Sequence, residues 1–334
     1  MPEGESELLC QLLSGREELA SEKVRIRKLA PKPYAVKIDY ITGGLIVDDK
    51  PFFPFGFYCN MDAIWLAEEE IHSAFNVISP YWSVCRERPR GEIEKIRAFL
   101  DRCAEIGMKV NYHMSELTLI PPAQKEKMFE LLRHEVEAFR EHPAVLSWYI
   151  SDEPGGQGTE PEFLKEARRF VNKLDPYRPV TVVFIPGNAL PRYLGAFDIV
   201  MIDPYPIPHG DVTVVSDSVD AAFEIAGPDM PNWTVPQAFG GGEWWKREPT
   251  AQEEIAMTYL SLLHGSRGIQ YFIRRDPIAN PKAPVAWGAC RQAALETSQL
   301  VPAFFSLEEA PAVNCSPDFI QSRAYLDRGT LRAC

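Results

Sequence analysis

The sequence predicts an α/β chain folded as a (β/α)8 TIM barrel with a short N-terminal β extension. Eight short, almost continuously apolar runs recur between residues 51 and 273, the pattern of strands buried on both faces in a parallel sheet. Stretches of helical apolar period separate most of them, and eight strands with a helix after nearly each, over about 250 residues, is the arithmetic of a barrel. The rival, a doubly wound open sheet, usually carries a glycine-rich phosphate turn after its first strand. Here the first run leads into "CNMDAIW", with no such turn.

The elements follow in order. Residues 1–23, "MPEGESELLCQLLSGREELASEK", have neither the basic nor the apolar region of a signal peptide and read as a short amphipathic helix or a loose leader. Residues 24–50 hold a Gly-Gly turn and an Asp-Asp-Lys turn between alternating segments, which predicts a β-hairpin capping the bottom of the barrel. The barrel itself is expected over 51–305. Its strands are "PFFPFGFY", "FNVISPYW", "MKVNYHM", "AVLSWYI", "PVTVVFI", "FDIVMIDPYPI", "NWTVPQAFG" and "GIQYFI". Helices are expected at 91–107, 122–142, 161–175, 249–265 and 286–305, several opening on proline or closing on glycine. Residues 306–334 end in "SRAYLDRGTLRAC", which reads as the start of a C-terminal β segment, so a fragment or short form of a longer chain is expected.

Composition narrows the function. Of 334 residues, 46% are hydrophobic, and no apolar run approaches the ~20 residues of a membrane span. A net charge of −12 argues against nucleic acid and anionic membrane surfaces, which need clustered Lys and Arg. Seven scattered cysteines form no CxxC pair, which argues against a zinc site and favours reduced thiols in a cytoplasmic setting. No metal and no cofactor is expected.

Chemistry in a barrel sits where the strands end. The tips expected to bind substrate carry Tyr58, Asn60, Tyr81, Trp82, His113, Asp152, Tyr205, Gln237, Trp244 and Trp245. The set is rich in aromatics, amides and carboxylates, the groups that stack on sugar rings and hydrogen-bond hydroxyls, so an oligosaccharide or glycoside is the expected partner. The segment "HPAVLSWYISDEPGG" runs a buried strand straight into Asp152 and Glu153. Apolar walls raise the pKa of such an acid, and a carboxyl kept protonated can donate to a leaving-group oxygen. Glu153 is the better donor because Pro154 fixes the turn after it. Arg274 and Arg275 at the last tip would meet an acidic sugar or pair with neighbouring acids.

These residues resemble a family. "LIVDDKPFFPFGFY" looks like the opening strand, and "HPAVLSWYISDEP" the fourth strand, of glycoside hydrolases of the large retaining (β/α)8 clan, which includes the β-galactosidase-like and cellulase-like families. "LDPYRPV", "DPYPI" and "HGSRGIQYF" fit the same barrel, and the likeness spans roughly residues 43–305. The resemblance implies that Glu153 is the general acid/base. It also implies a second glutamate, the nucleophile, at the end of strand seven, where "TVPQAFGG" instead places Gln237. An amide cannot form the glycosyl ester. Glu243 could swing in from the Gly-Gly-Gly loop as nucleophile or base, or Asp203 could activate water in an inverting scheme. Failing both, the barrel binds sugar, uses another mechanism, or has lost activity.

Overall fold

The computed structural model describes residues 3–60, 64–82, 88–187, 189–241, 244–274, 283–313, 315–316 and 320–333, the side chains of 60 and 333 excepted. The N-terminal segment, expected as a short helix or a loose leader, forms a hairpin instead: β1 (Gly4–Ser14) pairs antiparallel with β2 (Glu17–Lys28). Two features override the helical leucine spacing. Gly15 turns at φ 61, the positive value a tight hairpin turn needs. The second arm, "KVRIRK", alternates with period two, so Glu5 and Glu7 face Arg27 and Arg25 across the pair.

The extension continues as a three-stranded sheet of β3 (Val36–Asp39), β4 (Gly44–Val47) and β5 (Lys50–Phe52). Asp48 and Asp49, both at positive φ, turn β4 into β5. Val36, Leu45 and Val47 share one apolar cluster with Val77, Leu146 and Ile199, which lie at strand starts. The sheet therefore closes the N-terminal end of the barrel and leaves the other end for chemistry.

Eight parallel strands close the barrel: β6 (Phe55–Asn60), β7 (Val77–Tyr81), β8 (Lys109–His113), β9 (Val145–Asp152), β10 (Val180–Phe184), β11 (Ile199–Ile202), β12 (Asn232–Thr234) and β13 (Ile269–Arg274). All eight overlap the predicted runs, and β6, β9 and β13 continue one or two residues past them. The surrounding helices are α1 (Ile64–Glu70), α2 (Arg90–Ile106), α3 (Lys125–Phe139), α4 (Pro154–Gln157), α5 (Pro161–Leu174), α6 (Val214–Ala226), α7 (Ala251–Leu263) and α8 (Pro284–Phe304). Helix α2 buries Ile96, Leu100 and Cys103 and stops at Gly107, whose φ of 83 suits a left-handed cap. Helix α7 starts at a reciprocal cap between Thr250 and Glu253. Beyond α8, β14 (Ala324–Asp327) and β15 (Thr330–Ala333) form a hairpin anchored by Tyr325 on Phe304, ring centres 5.1 Å apart. No helix among the described residues is long and apolar enough to cross a membrane.

A hydrogen-bonded polar layer crosses the barrel interior. Asn111 Nδ2 donates to Gln270 Oε1 (3.2 Å), and its Oδ1 accepts from Ser147 (2.8 Å) and Thr181 (3.1 Å). Gln270 Nε2 donates to Ser79 Oγ (2.9 Å). All five residues are fully buried or nearly so. Satisfied in this way, the layer ties five strands together and forms a rigid floor.

Candidate active site

Above that floor, the strand ends bring Asp152, Glu153 and Asp203 together under a wall of aromatic rings. Strand β9 delivers Asp152, and its backbone continues into Glu153 at φ 42, ψ 53. A left-handed glutamate costs about 1–2 kcal/mol. It is held there by its N–H, which donates to Val183 O (3.0 Å), and by its carbonyl, which caps the turn of α4 behind Pro154.

The carboxyls are electrostatically coupled. Asp203 follows β11 and is buried, and its N–H donates to Phe184 O (3.2 Å). Burial, then the Glu153 carboxyl in hydrogen-bond contact, then the charge of Asp152 hold Asp203 far above the usual carboxylate range. Asp203 is thus held protonated at neutral pH. Asp152 rises from 3.8 to about 6, chiefly through burial, while the hydroxyls of Tyr149 and Tyr81 favour its charged form. Tyr81 donates to Asp152 Oδ2 at 3.3 Å. Asp203 Oδ1 has no hydrogen-bond partner among the described residues.

The wall is continuous. Trp245 meets Phe239 (5.2 Å between ring centres), Phe239 meets Phe272 (5.5 Å), Phe272 meets Tyr58 (5.7 Å), and Tyr58 stacks on Tyr81 (5.3 Å). Tyr205 stacks on Phe272 from the same side (5.9 Å). Burial raises the hydroxyl pKa values of Tyr58, Tyr81, Tyr149 and Tyr205, so all four stay protonated donors. Gly240 lets this wall close. A Cβ there would stand 2.1 Å from the backbone of Arg247 and Glu248.

Of the residues expected to touch substrate, Tyr58, Tyr81, Asp152, Tyr205 and Trp245 gather here. Trp82 does not. It is buried against Tyr112 (4.9 Å) and Phe99 (5.7 Å), and its Nε1 donates to His113 O. It is a core residue, not a sugar platform. Trp244 lies outside the wall, 71% exposed. His113 is committed on both ring nitrogens, Nδ1 to Trp82 O (2.9 Å) and Nε2 to Ser115 Oγ (2.7 Å). Burial lowers its pKa to about 4, so it is neutral, and its ring packs under Tyr81 (4.7 Å).

Gln237 is likewise occupied. Its Oε1 accepts from Ile207 N (2.9 Å), and its Nε2 donates to Ile207 O (2.8 Å) and Phe239 O (3.1 Å). This buried amide completes the backbone pairing of the loop after Asp203 and does not offer a free group to a ligand. Glu243, Arg275 and the side chain of Asn60 lie outside the described residues. Arg274 pairs with Glu70 (3.1 Å) and Glu69 (3.2 Å). Among the described residues, no three His, Cys, Asp or Glu side chains are placed to hold a metal ion.

Two members of the site escaped the sequence reading. Tyr149 and Phe272 sit inside strands, not at tips. Alternation could have found Phe272, two residues after the inward Gln270. The register of β9 shifts against both of its neighbours, which hides the inward position of Tyr149.

Residues 99–201 match the family model described as "Glycosyl hydrolases family 2, TIM barrel domain". Over that stretch the chain is similar to the family 2 barrel domain. Solved structures agree on the fold. The β-galactosidase from Marinomonas ef1 superposes with a TM-score of 0.61 at 12% identity, over 74% of this chain and 60% of that one. The cold-adapted β-galactosidase from Rahnella sp. R3 gives 0.59 at 14%, over 75% and 56%. A family 2 β-galacturonidase from Eisenbergiella tayi, bound to galacturonate, gives 0.56 at 16%, over 88% and 67%. The chain thus spans little more than half of the Rahnella enzyme. No curated protein matches the sequence.

Proposed function

We propose that the chain is a glycoside hydrolase in which Glu153 is the general acid/base and Asp203 the second, atypical carboxylate. The observation that carries this reading is Glu153, held in a left-handed turn at the C-terminal mouth of the barrel by Val183 O, with the buried Asp203 beside it. Burial at this mouth favours a protonated carboxyl on Asp203, and a carboxyl kept protonated at neutral pH can supply a proton to a leaving-group oxygen. The aromatic wall is the sugar platform. A neutral glycone fits, since Arg274 is engaged by Glu69 and Glu70 and the site's own charge is negative.

The test compares Glu153→Gln with the wild type on aryl glycosides. Turnover is expected to fall by about 10²–10⁴, with calorimetric affinity for the sugar retained. Equal turnover by the variant would sink the assignment. The alternative reading is a non-catalytic carbohydrate-binding barrel. It draws its support from Gln237, tied to backbone where the resemblance calls for an acid. Sugar binding with no hydrolysis by the wild type would favour it.

A further inference from the structure

We propose that Asp152 acts in catalysis as an anion, stabilising the positive charge that develops on the glycone, and that Tyr81 is the positioning residue that aims its carboxylate. This rests on the assignment of Glu153 as proton donor, and it holds whichever group captures the anomeric carbon. Glycosidic cleavage passes through an oxocarbenium-like state, with positive charge spread over the anomeric carbon and the ring oxygen. A negative charge beside that carbon lowers the barrier most when it is already in place as the charge appears.

Asp152 ends β9 as chain neighbour to Glu153, and it is only partly buried, so it meets the cleft. Its Oδ2 accepts from the Tyr81 hydroxyl at 3.3 Å. The Tyr81 ring is clamped. It stacks on Tyr58 (5.3 Å between ring centres) and meets Phe272 (6.1 Å) and His113 (4.7 Å) edge to face. His113 is itself fixed, Nδ1 against Trp82 O and Nε2 against Ser115 Oγ. A chain of contacts from the core therefore holds one hydroxyl on one carboxyl oxygen, and this order exists before substrate arrives.

The charge on Asp152 is the property at issue. An amide would accept the same bond without carrying a charge into apolar surroundings. Among the described residues, the titratable groups facing Asp152 are the hydroxyls of Tyr81 from β7, Tyr58 from β6, Tyr149 from β9 itself and Tyr205 beyond β11, together with the acids Glu153 and Asp203. All are hydroxyls or acids, and none is a cation. Burial raises Asp152 to about 6, and the Tyr149 and Tyr81 hydroxyls oppose that rise, so the carboxyl is charged at neutral pH. A cationic centre forming in the cleft supplies the countercharge.

The experiment compares Tyr81→Phe, Asp152→Asn and the double variant with the wild type, as whole chains, on 4-nitrophenyl glycosides. Tyr81→Phe keeps the ring and removes only the hydroxyl. It should cut kcat by about tenfold or more with KM little changed, and move the acid limb of kcat/KM up by about one pH unit, because charged Asp152 loses a donor. In the Asp152→Asn background the same substitution should change kcat by less than about twofold. An unmoved acid limb, or an equal loss in both backgrounds, would overturn the proposal and leave Tyr81 a wall residue. Urea unfolding reads the coupling without turnover. The loss of stability in Tyr81→Phe should be larger at pH 8, where Asp152 is charged, than at pH 4, where it is neutral; a loss equal at both would overturn the positioning role. Wild-type turnover by Glu153→Gln would sink the proton-donor assignment while leaving this unfolding result intact, so the two failures are distinct. No hydrolysis by the wild type would overturn the catalytic part of both readings.

Discussion

Asp152→Asn should make the protein more stable, and the gain should depend on pH in a defined way. In the fold the Asp152 carboxyl rises from 3.8 to about 6, a difference of about 3 kcal/mol against the charged form. The sign follows from linkage. Below pH ~4 the group is protonated in both folded and unfolded chains, and its charge costs nothing. As the pH climbs to about 6, the unfolded chain ionises first and wild-type stability falls. Above that the loss is complete. Asparagine mimics the protonated acid and keeps an acceptor for the Tyr81 hydroxyl, so it escapes this cost. Urea unfolding should therefore show a gain of up to about 3 kcal/mol at pH 8, shrinking below about 1 kcal/mol at pH 4. A gain equal at both pH values, or none at pH 8, would refute the idea that burial holds this carboxyl in a costly state. Stability lost for activity is the expected signature of a working site.

Three further outcomes can be checked. The profile of kcat/KM against pH should be a bell, its acid limb near pH 6 as Asp152 loses its charge and its alkaline limb set by the proton that Asp203 holds; an acid limb unchanged in Asp152→Asn would contradict this. Gln237→Glu should not create a two-acid enzyme. It replaces the donor to Ile207 O and Phe239 O by an acceptor in a buried site, and should cost about 3 kcal/mol or more in a denaturation assay; wild-type stability with raised turnover would overturn the structural role given to Gln237. Gly240→Ala forces the Arg247–Glu248 backbone away from a new Cβ. It should weaken sugar affinity through Phe239 and Trp245 while leaving the carboxyls in place, and unchanged calorimetric affinity would argue against the aromatic wall as platform.

The barrel was legible because a parallel strand covered on both faces has almost no freedom in composition. "AVLSWYI" and "PVTVVFI" admit few other readings. Helices were legible where apolar period and stop signals agreed, as at α2 with Gly107. Helix α6, "VVSDSVDAAFEIA", was not, because its valines, serines and aspartates are weak helix formers and tertiary packing decides the matter. The leader failed for the opposite reason. Its leucines fit a helix locally, but the turn at Gly15 and the alternating arm of β2 needed each other to be seen.

The site was half legible, and the dividing line is physical. Residue type and position after a strand locate a carboxylate at the barrel mouth, and that sufficed for Asp152, Glu153 and Asp203. What each can do depends on distances that a linear chain does not carry. Asp203 reads in the sequence as a water-activating base; in the fold, burial and the neighbouring carboxyls hold its pKa far above the usual range. Trp82 could be read as a platform until its indole N–H was found bonded to His113 O in the core. Gln237 is the sharpest case. In the sequence it marks a missing nucleophile, a loss. In the fold its amide joins strand β12's exit to the loop after Asp203 through one accepted and one donated bond, of which a carboxylate could make only the first. The residue that stands where the resemblance expects the nucleophile therefore also positions the loop after Asp203. The chemistry of this mouth has to be worked out from Asp152, Glu153 and Asp203 as a group, and not from a pair with one member absent.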